Sequence, residues 1–190
     1  MKKKKGKKIQ LSDIIDNEIK ANSLRNGFPK SFDSHIKQLK TKKIINHKDF
    51  TDIPFVTIDG QDSKDFDDAV WSETKKGITN IMIAISDVSF FIEKNDPLDL
   101  EAKKRGNSFY FPDRVIPMFP NEISNDICSL IPNKERASVI TEIKIKNFKV
   151  ISFKIHRAKI ISVARLTYKE VDRIFSVSYT HLRAHETFAH

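Results

Sequence analysis

With one cysteine, Cys128, in 190 residues, the sequence can neither close an intrachain disulfide nor assemble a thiolate metal site from its own residues. A reducing compartment is the simple inference, with no disulfide partner. Long apolar runs are also missing. No segment approaches the ~18 uninterrupted apolar residues that span a bilayer, and the N-terminal lysines are not followed by the apolar core of a secretory leader. These absences point to a cytoplasmic chain with no membrane association. Internal repeats are lacking as well, which argues against a solenoid or array.

What is present describes one folded domain with tails. Hydrophobic residues make up 39% of the chain, including 14 Phe, enough for a core, while 31% charged residues make an ionic surface. The net charge is +9, but six of the 34 basic residues fall in Met1–Lys8, leaving 28 basic against 25 acidic residues elsewhere. That tail reads as a solvated run, with attraction to nucleic acid as the sharper alternative.

The residues from Ile9 to Lys43 carry a loosely helical spacing. Leu11, Ile14, Ile15 and Ile19 form one candidate stripe, Ser12 or Asp13 a candidate cap, and Gly27 and Pro29 the punctuation between two helices. From Ile53 the texture becomes β-rich: Phe55, Val56 and Ile58 lead to a turn at Gly60, and Asp68–Trp71 and Ile81–Ile92 make a hairpin about Lys76-Gly77. Asp96-Pro97 opens a helix over Pro97–Arg105 that Gly106 closes. Asn107–Phe111 is extended, Pro112, Pro117 and Pro120 enforce irregular chain, and Asn121–Leu130 suggests a short helix carrying Cys128. Ala137–Ser162 reads as two long strands about Asn147. Thr167 with Glu170 has the form of a capping box before a helix over Tyr168–Phe175. The expected fold class is α+β, a mixed and mainly antiparallel sheet with flanking helices.

The densest chemical signal is Thr57–Val70, which packs Asp59, Asp62, Asp65, Asp67 and Asp68 into ten residues between apolar β-type segments. Crowded carboxylates repel, and a hard divalent cation bound through oxygen offsets that repulsion. A calcium loop fails on spacing, because counting from Asp59 neither a sixth-place glycine nor a twelfth-place glutamate is present. Mg²⁺ suits the pattern better. It takes one or two carboxylates and leaves positions for substrate phosphate, which points to phosphodiester hydrolysis; a solvated acidic turn is the alternative. In an extended Asn107–Phe111, Phe109 and Phe111 face one way and Tyr110 the other, so Tyr110 is either a stacking platform for a base or a half-buried strand residue. Arg105 and Arg114 are candidate phosphate contacts, or simply helix-end and loop cations. His181, His185 and His190 carry no metal-ligand pattern.

Thr57–Val70 resembles the signature of the bacterial RNase R and RNase II family, an aspartate after an apolar strand followed six residues later by D-x-D-D, here Asp59, Asp65, Asp67 and Asp68. Ile83–Ser89, Asp96–Asp99 with Glu101-Ala102 and Arg105-Gly106, Tyr110–Pro112 with Arg114–Met118, Ser124-Asn125, Cys128–Leu130 and Ala164–Tyr168 are similar to further blocks, nearer to RNase R than to RNase II. The resemblance implies processive 3′→5′ hydrolysis of single-stranded RNA to nucleoside 5′-monophosphates. It places Mg²⁺ on the four aspartates, with Asp59 and Asp68 as the main ligands, Asp65 and Asp67 in support, and Asp67 also at the transition state. It further implies a lead-in over residues 1–48 and the N-terminal portion of an RNB-type catalytic domain over 49–175. Residues 176–190 depart from the family and resemble translated sequencing-adapter sequence. The expectation is therefore a truncated enzyme, inactive alone and monomeric at full length; a non-catalytic RNA- or metal-binding remnant is the alternative.

Overall fold

A computed structural model of the chain describes residues 10–176. The lysine run Met1–Lys8 and the divergent tail after Ser176 lie outside the described residues. Helices α1 (Leu11–Ala21) and α2 (Phe32–Lys40) lead into strands β1 (Lys48–Asp49), β2 (Phe55–Asp59), β3 (Asp68–Lys75) and β4 (Ile78–Ser86). Helices α3 (Val88–Phe91) and α4 (Pro97–Arg105) follow, then β5 (Phe109–Tyr110), β6 (Val115–Ile116), a π-helical turn (Ile123–Ile127), and the long strands β7 (Glu135–Lys146) and β8 (Lys149–Thr167). A last helix occupies 168–176.

Turn chemistry fixes the hairpins. Lys76 and Gly77 have φ of 50° and 72°, and Asn147 and Phe148 have φ of 49° and 60°. Two successive residues at positive φ are what a two-residue hairpin loop needs to match strand twist. β3 and β4 therefore pair out to Lys75 and Ile78, and β7 and β8 out to Lys146 and Lys149.

The sheet is mixed and mainly antiparallel with flanking helices, and it closes on itself. β8 pairs antiparallel with β7 along its first part and parallel with β2 over Ser162–Thr167. Since β2, β3, β4 and β7 already form an antiparallel row, β8 joins the two ends of that row. β1 adds a short parallel rung at Ala158 and Lys159. Phe55, Ala69, Met82, Ala84, Ile140, Ala158 and Ile160 form the core of this ring, joined by Phe66 and Leu130. Phe32, Ile36 and Leu39 of α2 meet Leu98, Ile123, Ile127 and Cys128 in a second cluster, and Ile15 and Ile19 of α1 meet Ile116 in a third. Each fully buried Phe or Leu is worth roughly 1.5–3 kcal/mol, so β2 and α4 are held mainly through Phe55 and Leu98.

Local expectations are met at α4, where Asp96 accepts from the Leu98 N–H at 2.8 Å and Gly106 stands at φ 79°. They are also met at the Thr167–Glu170 box, whose carboxylate accepts from the Thr167 N–H at 2.7 Å. Four differ. The α1 stripe is only Ile15 and Ile19, because Leu11 and Ile14 are about half exposed. Its N-cap is Gln10, whose N–H donates to Asp13 at 3.3 Å, with Ser12 inside the helix. The Ile81–Ile92 run stops being strand at Ser86, because the Asp87 carboxylate accepts from the Phe90 N–H at 3.1 Å and caps α3. Of Asn107–Phe111 only Phe109 and Tyr110 pair, and Cys128 falls just beyond the π-helical turn.

Among the described residues no helix is long and apolar enough to cross a membrane. Ile85, Val150, Phe153 and Ile155 stand exposed on the sheet. The edge of β8 over 149–157 that faces away from β7 pairs with no described strand.

Candidate active site

β2 ends at Asp59 and β3 begins at Asp68, so all four aspartates of the motif sit on one connection at a single end of the ring. That connection is tied down from several sides. Gly60 accepts from the Ser63 N–H at 3.2 Å in a tight turn, where a Cβ at Gly60 would stand 3.2 Å from the Ser63 hydroxyl. Phe66 inserts into the core; its N–H donates to Ser129 Oγ at 3.0 Å, and Ser129 Oγ in turn donates to the Lys64 carbonyl at 3.0 Å. The Leu130 N–H donates to the Phe66 carbonyl and the Ser86 N–H to the Asp67 carbonyl, each at 2.8 Å. From β8, Arg165 donates to the carbonyls of Gly60 at 2.7 Å and Gln61 at 2.5 Å.

The carboxylates so gathered repel one another. Burial raises the Asp59 carboxyl above the ordinary range, Asp68 and then Asp65 add to the rise, and Arg165 opposes it. Burial likewise raises Asp67, helped by Asp65, Asp68 and Asp59. Asp59 Oδ2 is buried with no hydrogen-bond partner. The Tyr110 hydroxyl donates to Asp65 at 3.4 Å. Among the described residues no group of three or more His, Cys, Asp or Glu side chains could hold a metal ion by itself. Mg²⁺ asks for less, ordinarily one or two carboxylates completed by water and substrate phosphate. An orphaned buried carboxylate oxygen within a mutually repelling set suits that demand, and the residues present fit a hard divalent cation.

Asp65 and Asp67 open onto a cleft of about 310 Å³ shared with Ser108, Tyr110, Ser124 and Cys128. An adjoining hollow of about 180 Å³ continues past Asp62, Lys64 and Asn125. Phe109 and Phe111 turn toward the Ile15, Ile19 and Ile116 cluster, while Tyr110 on the other side is 70% exposed at the cleft. Burial, with Asp65 second, pushes the Tyr110 phenol up, so it remains a neutral ring at physiological pH. Burial pushes the Cys128 thiol up to about 12, which makes it a packing residue on the cleft wall rather than a nucleophile.

The two arginine candidates do not join this site as free phosphate contacts. Arg105 is buried: it pairs with Glu101, donates to the carbonyls of Arg25, Gly27 and Pro117, and lies 3.7 Å over the Phe28 ring. It serves as a bracket between α4 and the lead-in. Arg114 is partly exposed but spent on Asp16 at 2.8 Å and Asp113 at 2.7 Å. Residues that shape the site without standing out in the sequence are Ser129 and Arg165. Both lie far along the chain from the acids, and the one signal for Arg165 was its place in the Ala164–Tyr168 block.

The mutual repulsion predicts a stability effect. A carboxyl raised above its unfolded value stabilises the fold while protonated and loses that contribution as pH rises through the folded value, so ionised Asp67 weakens the fold near neutrality. With chelator at pH 7, Asp67→Asn should raise the melting temperature. The gain should stay below about 1 kcal/mol because solvent screens an exposed group. Thermal unfolding at pH 7 and at about pH 3, where the gain should vanish, checks the sign.

The chain belongs to the RNB domain family, whose model matches residues 47–186. Within it, the chain is 45% identical over 146 residues to Ribonuclease R of Buchnera aphidicola, covering 71% of this chain and 20% of that protein. It is also 45% identical over 125 residues to Ribonuclease R of Escherichia coli K12, covering 65% of this chain and 15% of that protein. Among solved structures, Mycoplasma genitalium RNase R in complex with ribose methylated single-stranded RNA superposes with a TM-score of 0.83 at 30% identity, covering 88% of this chain and 27% of that one. The chain thus spans about a fifth of the length of the curated relatives it matches.

Proposed function

We propose that residues 49–175 form the front part of the catalytic domain of a hydrolytic 3′→5′ exoribonuclease, which degrades single-stranded RNA processively to nucleoside 5′-monophosphates with Mg²⁺ in a cytoplasmic setting, as a monomer at full length. The observation that carries this reading is the un-neutralised set of Asp59, Asp65, Asp67 and Asp68, held on one anchored loop beside an exposed aromatic ring. A binding module has no need to maintain repelling carboxylates at a cleft, whereas a hydrolase gains from them.

Asp59 and Asp68 would hold the magnesium, with Asp65 and Asp67 in support. When bound, the ion supplies positive charge against the reacting phosphate and lowers the pKa of water, the two needs of phosphodiester hydrolysis at neutral pH. Asp67, open to the cleft, stands where charge changes during the reaction. Tyr110 offers a face on which any base stacks, worth ~1–3 kcal/mol irrespective of sequence, which suits an enzyme that must accept every RNA. Its bond to Asp65 sets that face beside the acids.

The reading is tested by digesting 5′-labelled single-stranded RNA with a protein of the relatives' length that carries this segment. Stepwise 3′ shortening in Mg²⁺ that stops with chelator is the expected result; activity indifferent to chelation would overturn it. In the same protein Tyr110→Ala should lengthen the limit product by one or more nucleotides, because short oligonucleotides dissociate once a stacking platform is lost. An unchanged product length would leave Tyr110 a structural residue only.

A further inference from the structure

We infer that Arg165 is a positioning residue for the metal site, which holds the acidic loop in its working shape through the Gly60 and Gln61 carbonyls. This rests on the proposed function of the loop as a cation site. Nη2 of Arg165 donates to both carbonyls, at 2.7 and 2.5 Å, and the guanidinium lies 5.4 Å from the centre of the Phe66 ring. It thereby joins the first turn of the loop to the residue that plugs the loop into the core. β8 supplies this group from directly beside β2, since Arg165 faces Thr57 and Thr167 faces Asp59 in the parallel register.

Arg165 makes no hydrogen bond or ion pair with the acids of the loop, although its charge favours ionised Asp59. Its Nε is buried without a partner, and so is Asp59 Oδ2. The side chain therefore acts on the loop backbone, and its charge acts against a cation in the site. These two effects have opposite signs. Supporting residues that orient metal ligands typically control affinity by 10–100-fold. A charge that makes no direct contact with the carboxylates acts more weakly than the two hydrogen bonds that shape the loop, so loop positioning should dominate. Lysine keeps the charge but lacks the planar guanidinium that lies over Phe66 while one of its nitrogens bonds both carbonyls. It should recover only part of the function.

The experiment uses the 190-residue chain at micromolar concentration, with Mn²⁺ as the probe, read by the electron paramagnetic resonance signal of the free ion. Wild type, Asp59→Asn, Arg165→Lys and Arg165→Met are compared, with amide hydrogen exchange of the loop as a metal-free readout. Asp59→Asn should lose the site. Arg165→Met should bind Mn²⁺ about 10-fold more weakly, with Arg165→Lys in between, and the Ser63 amide, bonded to Gly60, should exchange faster in both while β4 and β7 amides are unchanged. If Arg165→Met does not fold, Arg165→Lys decides by the same two readouts. Variants that bind Mn²⁺ as tightly as wild type would show that Arg165 does not position the site, and tighter binding would show that it acts only as an opposing charge; either overturns the inference. If Asp59→Asn binds normally, the cation-site reading fails instead, and Ser63 exchange alone decides: faster exchange sustains the positioning of the loop, and unchanged exchange removes it.

Discussion

Asp68→Asn, placed in a protein of the relatives' length, should lower RNA hydrolysis at least ~100-fold while leaving RNA binding within a few-fold of wild type. Loss of a single group that stabilises charge in a transition state costs 10²–10³ in rate, and a metal ligand carries more charge than a neutral hydrogen-bond donor. On the proposed reading binding survives because base stacking at Tyr110 and contacts along the RNA backbone are separate from the metal site. Removing one of several repelling acids also relieves strain on the Asp59 carboxyl, on which Asp68 is the leading neighbouring acid. The variant should fold at least as well as wild type, so lost activity cannot be ascribed to unfolding. Single-turnover digestion with parallel filter binding separates the two effects. Hydrolysis retained in Mg²⁺ would remove Asp68 from the metal site.

The second large effect concerns the 190 residues alone, which should hydrolyse single-stranded RNA poorly or not at all, even in abundant Mg²⁺. Holding a scissile phosphate in line can supply several kcal/mol of barrier lowering. The two candidate arginines are committed elsewhere, Arg105 to α4 and the lead-in and Arg114 to Asp16 and Asp113. The chain should also self-associate as concentration rises. Exposed Val150, Phe153 and Ile155 lie on a stretch of β8 whose outer edge has no described partner strand, and such edges template further pairing. Digestion of 5′-labelled RNA against Asp68→Asn as background, with light scattering across concentrations, tests both statements. Stepwise 3′ shortening by the chain, absent in the control, would show that this portion suffices.

Much of this was legible in the sequence because it is written locally. The Lys76-Gly77 turn, the turn about Asn147, the Asp96-Pro97 start and Gly106 stop of α4, and the Thr167–Glu170 box each depend on a few adjacent residues whose backbone preferences dictate the outcome. The acid spacing from Asp59 to Asp68 is local in the same sense. Ring closure was not legible, because the parallel pairing of β2 with β8 joins segments about a hundred residues apart and leaves no periodic mark on either. Arg105 misleads for a related reason. A cation in the last turn of a helix looks the same whether it faces water or is turned inward by Glu101 and Phe28, although Glu101 four residues earlier was an available hint. The Ile81–Ile92 run hid the α3 cap because Asp87 is one polar residue among strong strand formers.

Ring closure by β8 also orders events during synthesis. A ribosome delivers β2 and the acidic loop roughly a hundred residues before the strand that must lie beside them, at about 5–20 residues per second. The hairpins of β3 with β4 and of β7 with β8 are short-range and form early, whereas the parallel pairings of β8 with β1 and β2 carry the largest loop-closure entropy and come last. Arg165 reaches Gly60 only with those final pairings. A nascent chain thus keeps Asp59, Asp65, Asp67 and Asp68 on an unclamped loop until the ring shuts, after this portion of the polypeptide has left the exit tunnel.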